Sequence, residues 1–167
     1  MDETGMTLEA CAVAVKEELQ RQGLTVATCE SLTCGMIAAT LGGVPGVSTV
    51  LAGGLVTYMT EQKHRLADVS EETLRDFGAV SEQTAREMAL GAAVRLGTDC
   101  AVSATGNAGP SAMEGKPAGL VFVGACVCGE VVVRELRLSG DRTTVREGAA
   151  HGALQLLLEQ LRSRGQA

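Results

Sequence analysis

Aromatic residues are nearly missing from this chain: no tryptophan, one tyrosine and two phenylalanines, 2% of the sequence. Single-stranded nucleic acid is bound by stacking bases on aromatic rings, so that kind of platform is excluded. Positive charge is scarce too. Fourteen Lys and Arg stand against twenty Asp and Glu, for a net charge of -6 and a pI near 5.0, which leaves no basic face to track a phosphate backbone. No direct nucleic-acid partner is expected. No window approaches the roughly 20 apolar residues of a membrane helix, and the opening MDETGM is acidic where a signal peptide carries Lys or Arg. The chain reads as soluble and cytoplasmic, without membrane contact. Six cysteines are present, but no CxxC pair, and His64 and His151 do not fall at zinc-ligand spacing with any cysteine. Set mostly among Ala and Val, these thiols behave as small hydrophobes. Neither a cofactor nor a structural metal is expected.

What is present is an apolar framework: 46% of 167 residues are hydrophobic, enough for a single domain, residues 1–167, with a sizeable core. Helical spacing of Leu8, Cys11, Ala12, Val15 and Leu19, followed by Gly23, predicts an amphipathic helix over 7–22. LTVATC then reads as a strand covered on both faces, and MIAATL as a helix beginning near Thr33. The alternation repeats through the strand STVLAGGLVTYM, the helices EQKHRLA, EETLRDF and SEQTAREMALGAAVRL, and the strand CAVSATG. AGLVFVGACV and VVVRELRL, split by Cys128-Gly129-Glu130, read as a hairpin, with Cys126 and Cys128 on one strand face. A last helix is expected to open near Thr144 with Thr144 and Glu147 as a capping box. This order predicts an α/β three-layer α/β/α sandwich on a mostly parallel mixed sheet of about five strands, ending in an antiparallel hairpin.

Ligands of such sheets bind beyond the carboxyl ends of the parallel strands. Three polar turns therefore converge on one edge: ESLTCG, TYMTEQK and TGNAGP. No Walker loop, GxGxxG or GxSxG is present, which excludes the common phosphate loops and the α/β-hydrolase elbow. What remains is a turn at the amino end of a helix, where the N–H groups of Thr33, Cys34 and Gly35 attract an anion or an oxyanion. Ser31 is the candidate nucleophile there. Lys63, its pKa lowered by burial, and Tyr58 are the candidates to move its proton.

Each residue also has a plainer use. Ser31 can be a helix cap, Lys63 a solvated helix lysine, Tyr58 a strand-end residue with a satisfied hydroxyl. Cys34 fits a small filler better than a nucleophile. Glu30 either orients Lys63 or caps a turn. Thr105, Gly106, Ala108 and Gly109 either cradle a phosphate or form a sharp turn. Arg142 and Arg146, at i, i+4 spacing, either reach a phosphate or pair with Asp141 and Glu147. His64 and His151 read as non-catalytic.

TCESLTCGMIAATLGGVPGVSTVLAGGLVTYMTEQKHRLADV, then GAVSEQTAREMA, ATGNAGP, KPAGLVFV and GDRTTVRE resemble, in order and spacing, the C-terminal domain of the competence-damage protein CinA. The similarity runs from about residue 7 to residue 161. Stand-alone members are nicotinamide-nucleotide amidases. The resemblance therefore implies hydrolysis of nicotinamide mononucleotide to nicotinate mononucleotide and ammonia, a salvage step, with a small-molecule nucleotide as substrate and a homo-oligomer as the expected assembly. It assigns catalysis to Ser31, Tyr58 and Lys63, matches Glu30 and Thr33 to the family's pattern, and leaves Glu30, Thr33, Cys34, Gly35, Thr105, Gly106, Asn107, Ala108, Gly109 and Arg142 as the expected substrate-binding set. The chain departs from the family pattern at Leu32 and Cys34, where Cys and Gly are usual, at Asn107, where an aliphatic residue is usual, and at Ser111–Glu114, which replaces a glycine-rich stretch. Those departures motivate two further readings: a nucleotide-binding or interaction module of the same fold without turnover, and an amidase using Cys34.

Overall fold

The computed structural model describes residues 5–165. Its elements are α1 (Leu8–Gln22), β1 (Val26–Glu30), α2 (Met36–Gly42), a 3-10 turn (Val47–Thr49), β2 (Leu51–Val56), α3 (Thr60–Ala67), α4 (Glu71–Phe77), α5 (Glu82–Leu96), β3 (Cys100–Gly106), β4 (Leu120–Val127), β5 (Glu130–Arg137) and α6 (Arg142–Arg164). The sheet order is β2-β1-β3-β4-β5. β1 runs parallel to β2 and β3, and β4 and β5 complete the sheet antiparallel. This is the α/β mixed five-stranded arrangement that the alternation of patterns predicts.

β1 is buried along its whole length, and its period of two decides which layer each side chain enters. Val26 joins the core beneath α1, α2 and α6, whereas Ala27 and Cys29 join the core beneath α3 and α5. Small residues bring α5 close to the sheet. A Cβ on Gly124 would lie 2.9 Å from the Ala85 carbonyl, and Ser103 Oγ donates to that same carbonyl at 2.7 Å.

Element ends depart from the sequence reading where two residues offer the same chemistry. α6 starts at Arg142, not near Thr144, because Asp141 takes the cap: its Oδ1 accepts from Thr144 N and Thr144 Oγ1, both at 2.8 Å. The Thr144–Glu147 box is therefore replaced by an aspartate cap. α2 starts at Met36 rather than near Thr33, since Cys34 and Gly35 are left-handed, with φ 48° and 92°. Cys128 lies in the exposed hairpin turn, apart from Cys126 in β4.

The Thr144 backbone N–H, then its hydroxyl, hold the Asp141 carboxyl below its ordinary value. A depressed carboxylate stabilises the fold above the ordinary value and loses that contribution as pH falls through the folded one. Asp141→Ala should lower Tm by about 2–4 °C at pH 7. The gap should close on acidification, and a pH-independent gap in thermal scans would remove this account.

Candidate functional site

The turn after β1 carries the most polar chemistry in the fold. Ser31 N donates to Ala104 O at 2.9 Å, which extends the β1–β3 ladder by one link and fixes Ser31 against the end of β3. Ser31 shares the parity of Ala27 and Cys29, so it faces the α3/α5 layer. Glu30, one step earlier, faces the other layer, is fully buried, and accepts from Ile37 N at 2.8 Å, Ala38 N at 3.0 Å and Thr28 Oγ1 at 3.2 Å. It caps α2, whose Gly35 N-cap offers no side chain, and is thereby corrected from the substrate-binding set to a structural carboxylate.

That cap changes which amides can meet an anion. Cys34 N donates to Ser31 O at 3.0 Å, so it leaves the expected donor set. The amides of Leu32, Thr33 and Gly35 form no hydrogen bond among the described residues. Thr33 Oγ1 is buried and has no partner among them either.

Lys63 lies on α3, and the short β2–α3 connection folds its side chain under the turn. It is 1% exposed; Nζ donates to Ser31 Oγ at 3.0 Å and to Thr57 O at 2.7 Å. Removal from water disfavours an ammonium, and burial pushes Lys63 down to about 8, against the opposing pull of Cys29 and Glu114. Cys29 is itself pushed up to about 12 by burial. Serine oxygen and a lysine disposed to lose its proton are thus in contact.

Tyr58 is placed differently. The residue is 51% exposed, and its hydroxyl accepts from Arg142 Nη2 at 2.7 Å, with no hydrogen bond to Ser31 or Lys63. Arg142 Nη1 donates to Gly109 O at 2.8 Å, so one guanidinium joins the second and third turns. Arg146, one helical turn on, holds the first: its Nε donates to Leu32 O at 2.9 Å and its Nη2 to Thr33 O at 3.2 Å. All three polar turns meet at one sheet edge.

Most of the TGNAGP turn serves the fold. Thr105 Oγ1 donates to Ala79 O at 2.6 Å. Asn107 Nδ2 donates to Ser111 O and Lys116 O, at 2.9 and 3.2 Å, while its Oδ1 accepts from Gly109 N at 2.9 Å. A Cβ on Gly106 would lie 2.8 Å from Leu120 O and 2.7 Å from Val121 Cγ2, so glycine is needed there for strand packing. The Ala108 amide forms no hydrogen bond among the described residues, while the Thr105 hydroxyl and the Asn107 side chain are bonded within the fold.

Sequence reasoning missed Thr57, whose carbonyl holds Lys63, and Glu114, whose charge is felt by it. Both fall in stretches that the sequence singles out, Thr57 opening TYMTEQK and Glu114 closing Ser111–Glu114, but nothing in either pattern ties these residues to Lys63. A cavity of about 790 Å³ opens on the opposite layer, lined by α1, β5 and α6 residues such as Leu8, Leu136 and Gly152. It contains none of the predicted site residues.

Comparison with known proteins agrees with this architecture. A CinA-like protein of Kosmotoga olearia is 43% identical over 158 residues, 94% of this chain and 38% of that protein. A CinA-like protein of Dictyoglomus turgidum is 46% identical over 141 residues, 83% of this chain and 34% of that protein. The chain therefore spans well under half the length of these curated relatives. Among solved structures, a CinA superfamily protein from Klebsiella pneumoniae superposes with a TM-score of 0.91 at 31% identity, covering 95% of this chain and 99% of that one. The competence/damage inducible protein CihA from Agrobacterium tumefaciens gives 0.87 at 39% identity, covering 93% and 95%. Residues 8–161 match the family model of the CinA C-terminal domain, and the chain belongs to that family.

Proposed function

We propose that this chain is an amidase that hydrolyses the carboxamide of nicotinamide mononucleotide, with Ser31 as nucleophile and Lys63 as general base. The observation that carries the reading is the 3.0 Å contact between Lys63 Nζ and Ser31 Oγ, made by a lysine that is 1% exposed. Neutral Lys63 takes the Ser31 proton as Oγ attacks the amide carbon. The resulting oxyanion meets the unpaired amides of Leu32, Thr33 and Gly35. Lys63 returns the proton to the departing nitrogen, which leaves as ammonia, and a water activated by the same amine hydrolyses the ester to release the carboxylate. Tyr58 and Arg142 belong to the rim in this scheme. They and the Ala108 amide receive the nucleotide's phosphate, and the phenol takes no part in the Ser31 proton transfer.

Ammonia release from nicotinamide mononucleotide by the purified protein tests the reading. Ser31→Ala should lose at least about 10³-fold in kcat/KM, whereas Cys34→Ala should stay within roughly threefold, which separates this mechanism from a Cys34 nucleophile. Full activity in the serine variant would end it. A binding module without turnover is favoured by Cys34, which holds a left-handed backbone at φ 48° where the family pattern has glycine; nucleotide binding without ammonia release would select that reading. A homo-oligomer belongs to the amidase reading as well, and light scattering should return a mass above 17.2 kDa.

A further inference from the structure

The 111–116 hairpin between β3 and β4 is clasped to the 77–80 loop. Glu114 Oε1 accepts from Ala79 N at 3.1 Å and Oε2 from Val80 N at 3.2 Å. Lys116 Nζ donates to Phe77 O at 2.9 Å and to Val80 O, and lies 3.6 Å from Glu114 Oε2. Gly78, at φ 82°, completes the fit, since a Cβ there would lie 2.6 Å from that carboxylate oxygen. The loop so held reaches the site: Ala79 O accepts from Thr105 Oγ1, and Thr105 follows Ala104, whose carbonyl receives the Ser31 amide.

We propose that Glu114 is a positioning residue for the Ser31–Lys63 pair, acting through the 77–80 loop and through its own charge; this rests on the amidase reading of that pair. The groups around Lys63 leave Glu114 with a distinct part. From β1 come the Ser31 hydroxyl and the Cys29 thiol, the latter held neutral by burial. From the β2–α3 connection comes the Thr57 carbonyl. Glu30 turns its carboxylate to α2. On α5, Glu87 is bonded to Ser70 and Thr73, Arg86 to Val131 O and Glu82, and Arg95 to the Leu66 and Arg65 carbonyls. On α3 itself Glu61, His64 and Arg65 are exposed. Besides Cys29, it is Glu114, held 3.6 Å from Lys116, whose charge opposes desolvation at Lys63, keeping the amine near the pH at which a base is most effective.

The chain has only three lysines, Lys16, Lys63 and Lys116, so protein labelled with ε-13C lysine gives a resolvable titration for each. In Glu114→Gln the Lys63 midpoint should fall by roughly half a pH unit, with Lys16 unmoved, and the acid limb of kcat/KM should fall with it. Glu114→Asp, which keeps the charge, should restore most of the midpoint. An unchanged Lys63 midpoint in folded Glu114→Gln, or equal midpoints in the Gln and Asp variants, overturns the proposal. The spectra need no turnover. A lowered midpoint therefore upholds Glu114 even if ammonia release fails, while loss of release in Ser31→Ala tests the amidase reading alone.

Discussion

Replacing Lys63 by methionine is expected to reduce kcat/KM by at least about 10³-fold while raising Tm at neutral pH. The two effects share one cause. Folding takes the ammonium out of water, and the folded-state value of about 8 lies below the ordinary 10.5 of a lysine. Below pH 8 the buried amine is protonated in both states, so its desolvation weighs fully against the fold. Between 8 and 10.5 the folded protein gives up its proton before the unfolded chain does, and stability recovers as pH rises. One pKa unit corresponds to about 1.4 kcal/mol, so the ceiling is roughly 3 kcal/mol. Methionine fills similar volume but leaves Thr57 O without its donor, an offset of about 1–2 kcal/mol. The net gain should be roughly 1–2 kcal/mol, or about 2–6 °C at this chain length. Thermal scans from pH 7 to 10.5 check it: the variant should melt higher at pH 7 and lose that advantage toward alkaline pH. A variant that melts below the wild type at pH 7 would make Lys63 a net stabiliser. The matching kinetic expectation is that wild-type kcat/KM climbs through pH 8 as the amine becomes neutral.

Glu30→Ala should have the opposite signature, a large loss of stability. The Glu30 carboxylate is fully buried and accepts three hydrogen bonds, two of them from the first-turn amides of α2. Alanine would leave both amides and the Thr28 hydroxyl unpaired in the core beside a new void. Unsatisfied buried donors cost about 1–3 kcal/mol each, and together with the void about 3–5 kcal/mol is expected. That corresponds to a fall of roughly 10 °C in Tm. Glu30→Gln keeps the shape but presents an amide N–H₂ to a helix amide, so it should recover only part of the loss. Urea unfolding of the three proteins measures this, and a loss under about 1 kcal/mol for the alanine variant would mean that α2 finds another cap.

The alternating pattern made the layers and the sheet legible, because periodicity reports on burial and burial builds the layers. The Ser31 and Lys63 pairing was legible as residue types in the segments that follow β1 and β2, although the spacing of 32 residues carries no distance. Other residues keep two uses open in the sequence for a common reason: a polar side chain in a turn looks the same whether it holds a ligand or its own loop. Thr105 reads as part of a cradle or a sharp turn and Asn107 as substrate-binding, and the structure has them tie the loop to Ala79 and Lys116. Asp141 and Thr144 offer equivalent caps, and only the backbone geometry of α6 selects the aspartate. The Arg142–Tyr58 bond spans 84 residues, beyond anything a local pattern encodes.

Arg142 and Arg146 stand one turn apart on the same rod, Arg146 gripping the turn after β1 and Arg142 the other two. A slide of α6 along its axis would carry the three turns together and preserve the spacing between them, whereas a roll of α6 would swing them across the sheet edge. A ligand or subunit that turned the far end of α6 would therefore be felt at the serine turn through the Arg146 guanidinium, and at the other two turns through Arg142.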